Sequence, residues 1–425
     1  MNIKRKIESH KSLIESFFSL SILNGINVLL PLLTLPYILR VVGAANYGIY
    51  AYVYTIINYL LLITAYGFNL SATKQIAQNR DNKEQINIIY NATMACRIGL
   101  FIVALIFFVL LSPLLLETTD KKFLFYMGLG IVVGDILNPV WLYQGMEKMR
   151  FITIVNVVSK VVFTVLIFVL IKEAQHFRYI TLINSSGFLL AGVVSTIIAK
   201  RQFGISFSLP RIQQIKIQLK EGLTLFGTTI GTNLYTNANV FILNFFVDSS
   251  TLGMYAAAEK IIKGFQSLTS PITQALFPYI SNKFKGQTIH DQIDQTQKIL
   301  KNIFGIFIIP TILIFAGAAF LITIFCGDGY DISVVLLRIM SPVVIIGTLN
   351  YTLGVIGLVN LNEQKSFFQG VVFSGMVSVI FLSITASHWG VYSAALAMLL
   401  SELLLLIFCS VKFRKMKKNA NGYKN

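Results

Sequence analysis

Long apolar runs broken by short polar gaps dominate this chain, and that pattern restricts its fold more than any motif does. A helix crosses the hydrocarbon core of a bilayer with about 20 mostly apolar residues. Runs of that kind lie near residues 16–39, 47–70, 88–112, 123–143, 151–171, 179–199, 222–247, 253–277, 303–325, 332–358, 368–386 and 391–411. Alternation of apolar and polar residues is absent, which argues against an outer-membrane barrel. Composition agrees: 55% of the 425 residues are hydrophobic, only 12% are charged, and 33 Phe stand against 9 Pro. A soluble core could not hide that much apolar surface under so thin a polar coat. The expectation is an all-α integral membrane protein with about twelve transmembrane helices.

The net charge of +17 would suit a nucleic-acid binder, but the basic residues sit in the gaps between apolar runs, where membrane topology explains them better. One set of gaps holds Lys4, Arg5, Lys6 and Lys11; Lys74, Arg80 and Lys83; Lys148 and Arg150; Lys200, Arg201, Arg211, Lys216 and Lys220; Lys283, Lys285, Lys298 and Lys301; Lys365; and the tail from Lys412 to Lys424. The alternate set holds only Arg40, Lys121, Lys122, Lys172 and Arg178. That is roughly 25 against 5, so the positive-inside rule puts both termini in the cytoplasm and makes the number of spans even. The basic stretch Met1–Lys11 leads into an apolar run with no small-residue cleavage site, which reads as a retained first span. Cys96, Cys326 and Cys409 are far apart, with neither a disulfide pattern nor metal-ligand spacing.

The two halves echo each other. Residues 47–60 (YGIYAYVYTIINYL) and 252–265 (LGMYAAAEKIIKGF) share Gly48 with Gly253, Tyr50 with Tyr255, Ala51 with Ala256 and Ile56-Ile57 with Ile261-Ile262. Each segment opens the second span of its half. The gap at 200–221 reads as a linker, which gives an N-terminal six-helix lobe over 1–210 and a C-terminal six-helix lobe with a basic tail over 211–425. Equal span counts and orientation imply parallel repeats, and two such lobes around a central cavity is an architecture suited to alternating access.

Charges within the membrane are expensive and should face protein or water. The spans contain Arg97, Lys160, Lys260, Lys263 and Arg338 against Asp135, Glu259 and Glu402. This basic excess favours an anionic cargo. In the eighth span Ala256, Glu259, Lys260, Lys263, Gln266, Ser267 and Ser270 share one helical face. Glu259 and Lys263 have the favourable i,i+4 order for an ion pair, which leaves Lys260 without an obvious local partner. The seventh span carries Thr229, Thr232, Asn233, Thr236 and Asn237 on one face; the second carries Tyr47, Tyr50, Tyr54 and Asn58; the first carries Asn24, Asn27, Pro31 and Thr34. Amides and hydroxyls suit sugar hydroxyls and tyrosine rings suit sugar faces, although the same groups also serve as hydrogen bonds between helices. In the fifth span Lys160 shares a face with Thr153, Asn156 and Thr164, and in the third Arg97 shares one with Tyr90 and Thr93. Whether Arg97 and Lys160 meet a substrate or pair with Asp135 stays open at this level.

Other apparent motifs are weak. Gly128-Leu129-Gly130 with Gly134 lacks the strand–turn–helix setting of a dinucleotide loop; Gly130 and Gly134, like Gly227 and Gly231, read as close-packing glycines. Asp328 and Asp331 lack the company of a metal site. The sequon Asn91-Ala92-Thr93 lies within a span, and the four His form no catalytic set. No cofactor, metal or catalytic residue is expected.

Four blocks carry a family resemblance: Thr34-Leu35-Pro36-Tyr37 with Tyr47-Gly48-Ile49-Tyr50; Gly67-Phe68-Asn69-Leu70-Ser71-Ala72-Thr73 with Ile76-Ala77; Trp141-Leu142-Tyr143-Gln144-Gly145-Met146-Glu147; and Tyr255-Ala256-Ala257-Ala258-Glu259-Lys260 leading to Pro278. Over nearly its full length the chain resembles the Wzx-type flippases of the polysaccharide-transport branch of the MOP exporter superfamily. That resemblance implies a MOP/MATE-like fold and movement of an undecaprenyl-pyrophosphate-linked oligosaccharide from the cytoplasmic to the periplasmic leaflet of the bacterial inner membrane, for O-antigen or capsule assembly. It implies membrane lipids, the polysaccharide polymerase and chain-length proteins as partners, and no nucleic acid. A multidrug exporter of the same fold would want intramembrane carboxylates in the first lobe; spans one and two have none, which argues against it. A lipid II flippase would carry helices beyond twelve. A membrane polymerase or glycosyltransferase would show a sizeable catalytic loop or acidic motif outside the membrane, and neither is present.

Overall fold

The computed structural model describes the backbone of residues 3–284 and 286–422; within it the side chains of 3–29, 32, 224–225, 227–236, 268, 270–275, 278–279, 282 and 419–422 fall outside the described residues. The helices run in the order α1 (Ile3–Ala65), α2 (Phe68–Gln78), α3 (Lys83–Leu110), α4 (Ser112–Leu115), α5 (Thr119–Leu137), α6 (Val140–Gly145), α7 (Met149–Leu170), α8 (Arg178–Phe203), α9 (Ile212–Leu243), α10 (Ser249–Phe284), α11 (Ile289–Ala316), α12 (Ala318–Cys326), α13 (Asp331–Met340), α14 (Pro342–Tyr351), α15 (Gln364–Trp389) and α16 (Val391–Gly422). A π-helical stretch, Thr352–Val359, continues α14. No strand occurs among the described residues. Nine helical segments among them are long and apolar enough to cross a membrane.

Every apolar run read from the sequence falls on a helix, but the boundaries move. The first two runs form the single helical stretch α1, interrupted only at Gly43, whose φ of 77° and ψ of 167° take it out of helical geometry. α3 begins at Lys83, ahead of its apolar run, because Asn82 accepts a hydrogen bond from the Gln85 amide at 3.1 Å and caps the first turn. Thr288 caps α11 in the same way through the Asp291 amide at 3.2 Å. These two repeat-related helices are both 28 residues long. The tenth run divides at Pro342 into α13 and α14, as the fourth divides around Pro139 into α5 and α6. Proline lacks the amide that would continue the ladder.

Contacts divide the chain into two units. One comprises Met1–Thr34 with Ile49–Asn233, the other Leu35–Gly48 with Leu234–Asn425. In the first, α5 packs on α8 through small residues: a Cβ added at Gly134 would lie 2.3 Å from the Phe188 carbonyl carbon, and one at Gly192 would lie 2.6 Å from the Gly134 oxygen. These glycines close-pack two helices. Gly227 and Gly231 lie outside the described residues. In the second unit, Ile293, Leu353, Leu358, Val371, Leu405, Cys409 and Phe413 form one buried cluster and Ile303, Phe307, Ile345, Ile346 and Leu349 another.

The second unit also holds a reciprocal contact between repeat-equivalent residues. A Cβ at Gly48 would fall 1.9 Å from the Ser249 carbonyl oxygen, and one at Gly253 would fall 1.9 Å from the Ala44 carbonyl oxygen. Ala44 and Gly48 stand to Ser249 and Gly253 as one small-xxx-small pair to another, offset by the 205 positions of the sequence repeat. Helix backbones come this close only where both sides lack a side chain.

Candidate functional site

The polar face of α10 is organised around one buried carboxylate. Glu259 is 7% exposed, and its Oε1 lies 3.1 Å from the Lys263 ammonium and 3.4 Å from the Tyr255 hydroxyl, which donates to it. Tyr255 in turn accepts a 2.9 Å hydrogen bond from the Asn239 amide on α9. The i,i+4 spacing places Tyr255, Glu259 and Lys263 on one stripe, and Asn239 anchors that stripe to the neighbouring helix. Lys260, the next residue, makes none of these contacts. It is exposed, and among the described residues no carboxylate forms an ion pair with it. The face therefore carries a pinned, internally neutral Glu259–Lys263 pair beside an additional positive charge. Sequence reasoning named Asn237, which is half-buried, and missed Asn239, which is buried two positions on. Burial of an amide is the signal that separates them, and helical periodicity alone does not supply it.

Arg97 has a different setting. It is 2% exposed and pairs with the Asp135 carboxylate, while its Nη1 donates to the Asp135 and Ile136 carbonyls at 3.0 and 3.4 Å and its Nε to the Thr64 carbonyl at 3.3 Å. Of the two roles left open by the sequence, the geometry gives pairing: the guanidinium joins α3 to the end of α5 and to the α1 backbone. Lys160 is half-buried on α7 and engaged with its surroundings. Its neighbours Thr153 and Asn156 donate to the carbonyls one turn back, Met149 and Ile152.

On α1, Tyr50 and Tyr54 stack with ring centroids 5.6 Å apart, and the Tyr54 hydroxyl meets the Asn184 amide of α8. Asn58 is half-buried one turn on. Tyr47 is only 5% exposed and belongs to the other unit. Thr34 donates back to the Leu30 carbonyl at 3.1 Å, a contact within its own helix. Asn24, Asn27, Thr229, Thr232, Asn233, Thr236 and Ser270 lie outside the described residues.

Two of the motif blocks turn out to be joinery. Trp141 and Tyr143 are fully buried, and the Tyr143 hydroxyl donates to the Ser195 carbonyl at 2.6 Å. Thr73 of α2 donates to the Trp141 carbonyl at 3.2 Å and to Gln144 Oε1 at 3.3 Å. A Cβ at Gly145 would strike Ile76 at 2.6 Å. Arg80 Nε then donates to the Gly145 carbonyl at 2.7 Å, and Arg80 pairs with Glu147 at 2.8 Å. Thus the Gly67–Ala77 and Trp141–Glu147 blocks are two sides of one clasp between α2 and α6. Beside it, Asn87 Oδ1 accepts from the Ser206 amide at 2.7 Å and Asn91 Oδ1 from the Ser208 amide at 3.2 Å, strapping the mid-chain linker onto α3.

The fold is helical, with segments long and apolar enough to cross a membrane and with cationic and amide side chains along them. Comparison with known proteins narrows the class. The chain belongs to the polysaccharide biosynthesis protein family, whose pattern matches residues 13–284. It is 30% identical over 93% of its length to a protein of Escherichia coli (strain K12) bearing the name "Putative O-antigen transporter", of which it covers 95%. A protein of the same name from Shigella dysenteriae is 26% identical, with 92% of this chain and 97% of that one covered. Among solved structures, the lipid II flippase MurJ in an inward closed conformation superposes with a TM-score of 0.75 at 15% identity, over 96% of this chain and 90% of that one. An inward-facing multidrug resistance MATE family transporter of the MOP superfamily gives 0.67 at 13% identity, over 92% and 98%. At those identities the two structures establish the fold. The expected MOP/MATE-like membrane fold is the one found.

Proposed function

We propose that this protein is a flippase that carries an undecaprenyl-pyrophosphate-linked oligosaccharide from the cytoplasmic to the periplasmic leaflet of the inner membrane, supplying O-antigen or capsule-type assembly. Family membership and the two full-length relatives support the cargo class. The observation that carries the site is the α10 face, where Tyr255 and Asn239 fix Glu259 against Lys263 and Lys260 adds a second positive charge with no ion pair among the described residues. A pyrophosphate is a dense anion, and an ammonium neutralises it as a point charge. The sugar is served by hydroxyl and amide side chains, with Tyr50 and Tyr54 as stacking surfaces and Asn58, Asn237, Asn27 and Asn233 as further polar contacts. Lys263 and Glu259 support Lys260, and Lys160 is the reserve cation. The polyprenyl tail stays in lipid throughout.

The test is export of surface polysaccharide by variants held at matched membrane levels. Losing one charge-assisted contact to phosphate costs about 1.5–3 kcal/mol, or roughly ten- to hundred-fold in affinity. Lys260→Ala should abolish export while the protein still accumulates, and Lys260→Arg should retain part of it. Normal export by Lys260→Ala would remove this residue from the mechanism.

The charge distribution further supports cytoplasmic termini and a cytoplasmic 200–221 linker. A reporter active only outside the cytoplasm should stay silent when fused after residue 210 or 425; activity at either point overturns that topology. Direct contact with the polymerase and chain-length proteins is part of the same reading, and cross-linking in membranes would detect it.

A further inference from the structure

The last helix, α16, runs past its apolar span into a basic segment with no break in the backbone. At its start Trp389 and Tyr392 are both exposed, and aromatic residues of this kind sit at a membrane–water boundary. About 20 helical residues, rising about 30 Å, cross the hydrocarbon core, which brings the opposite boundary to the level of Val411. Leu403, Ile407 and Val411 form an exposed apolar stripe up to that level. The same stripe continues, at helical spacing, through Arg414, Lys415 and Lys418, all exposed. At 1.5 Å per residue these three cations stand about 5–10 Å beyond Val411, in the headgroup layer.

The charge count there is one-sided. Five basic residues fall between Lys412 and Lys418, and no acid does. Neighbouring helices neutralise two of them. Lys412 pairs at 3.1 Å with Glu363, which precedes α15, and Lys417 pairs at 2.9 Å with Asp294 of α11 and donates to Gln297 Oε1 at 3.0 Å. Arg414, Lys415 and Lys418 form no ion pair among the described residues. The nearby acids are already engaged: Glu363 also accepts from the Ser366 hydroxyl at 2.6 Å, Asp294 also meets His290 at 3.3 Å, and Asp291 accepts from the Thr288 hydroxyl at 2.6 Å. Three positive charges therefore sit directly above an apolar stripe. A free anion would answer the charges alone. A lipid with an anionic headgroup answers both, its acyl chain along the stripe and its phosphate at the cations.

We propose that Arg414, Lys415 and Lys418, with the Leu403, Ile407 and Val411 stripe beside them, form a binding site for an anionic phospholipid. The Arg414 guanidinium can meet a phosphate with two parallel hydrogen bonds, and the two lysines add point charges. A zwitterionic lipid brings its own ammonium group next to the phosphate, and three cations without counter-charges disfavour it. Lys412 and Lys417 tie the same stretch of α16 to α15 and α11. A lipid held on the opposite side of that stretch thus fastens this end of the C-terminal unit to the membrane surface. The inference uses none of the residues assigned to the cargo and does not depend on the cargo's identity.

The test needs no cargo either. The full-length protein is purified in an uncharged detergent, and its thermal unfolding midpoint is followed as phosphatidylglycerol is added. Phosphatidylethanolamine with the same acyl chains and inorganic phosphate are run beside it. Ligand that binds the folded state raises the midpoint saturably, so phosphatidylglycerol should raise it and the other two should not. Each cation at an anionic lipid surface is worth about five-fold in affinity. Arg414→Gln combined with Lys415→Gln and Lys418→Gln should therefore raise the half-saturating phosphatidylglycerol concentration on the order of a hundred-fold. Lys122→Gln combined with Lys172→Gln, two exposed lysines elsewhere on the molecule, should leave it unchanged. Should the triple variant fail to accumulate, Lys415→Gln with Lys418→Gln is read in its place and should shift the response about 25-fold. The proposal is overturned by a wild-type protein that responds to both lipids equally or to neither, by inorganic phosphate raising the midpoint as phosphatidylglycerol does, or by an unshifted response in the variant read. A loss as large in the Lys122 and Lys172 control overturns it too, because the effect is then one of overall charge.

Discussion

Gly48→Ala tests the reciprocal contact at the centre of the internal repeat. The added Cβ would fall 1.9 Å from the Ser249 carbonyl oxygen, 2.8 Å from the Gly253 amide nitrogen and 3.0 Å from the Ser249 carbonyl carbon. All three are backbone atoms, so no side-chain rotation relieves the clash. A comfortable C···O separation is about 3.3 Å, so the two backbones must part by about 1.4 Å at that point. Overpacking of this kind costs about 1–3 kcal/mol, and the absence of a flexible neighbour puts this case at the upper end. Gly253→Ala meets the Ala44 carbonyl oxygen at the same 1.9 Å and should cost about as much. Once either variant has forced the helices apart, the second methyl finds room already made. The double variant should therefore cost clearly less than the sum of the singles. The control is Gly99→Ala on α3, where a Cβ meets nothing within 4 Å. That change should be neutral or mildly stabilising, since alanine favours helix over glycine. The assay is the thermal midpoint of detergent-solubilised protein, read beside the amount in the membrane. If Gly48→Ala behaves like Gly99→Ala, the close approach is not required. If the double variant is additive, the two contacts are independent and the reciprocal geometry is wrong.

Three further outcomes follow from the same structure. Arg97→Ala leaves the Asp135 carboxylate without its buried partner and should destabilise by about 3 kcal/mol, seen as loss of protein from the membrane; Arg97→Lys should rescue it poorly, because one ammonium cannot span the Thr64, Asp135 and Ile136 acceptors, and normal accumulation of Arg97→Ala would refute the pairing role. Cysteines at Tyr50 and Tyr54 should react with hydrophilic thiol reagents while one at Tyr47, 5% exposed, should be protected; equal inertness at all three would place this face in packing and not on a sugar path. Finally, the Thr251 hydroxyl at 2.7 Å, with the Thr251 and Ser250 amides, holds the Asp248 carboxyl below the usual carboxylate range. Such a group adds stability above its unfolded-state pKa and loses it as pH falls through the lower folded-state value, so Asp248→Asn should flatten the acid limb of the stability profile, and an unchanged limb would refute it.

Membrane insertion imposes a strong, local and one-dimensional rule, and that is why the helices are legible in the apolar runs alone. Each span must be apolar over its own length whatever it packs against. Boundaries are less legible because polar residues can extend a helix past the bilayer. Asn82 and Thr288 start α3 and α11 well ahead of their apolar runs, and Gly43 marks a kink where the run lengths suggest a loop. The repeat is visible as scattered identities, but the reason two of its positions are glycine is not. Only the backbone approach of Ala44–Gly48 to Ser249–Gly253 supplies it.

Polar residues in the spans are legible as a set and not one by one, for a physical reason. In a membrane protein the same amide, hydroxyl or cation can close a helix–helix contact or face a ligand, and both uses produce the same helical stripe. What separates them is whether the group's hydrogen-bonding capacity is filled by the protein. Arg97 is filled, by a carboxylate and three carbonyls, and its helix face is joinery. Glu259 is filled by Lys263 and Tyr255, and Lys260 beside it has no ion pair among the described residues. Asn350 is half filled among the described residues, its Nδ2 engaged by Glu402 and its Oδ1 without a hydrogen-bond partner. Residues that act on a ligand must keep an unmet valence in the folded protein, and that unmet valence exists only once the neighbours are in place.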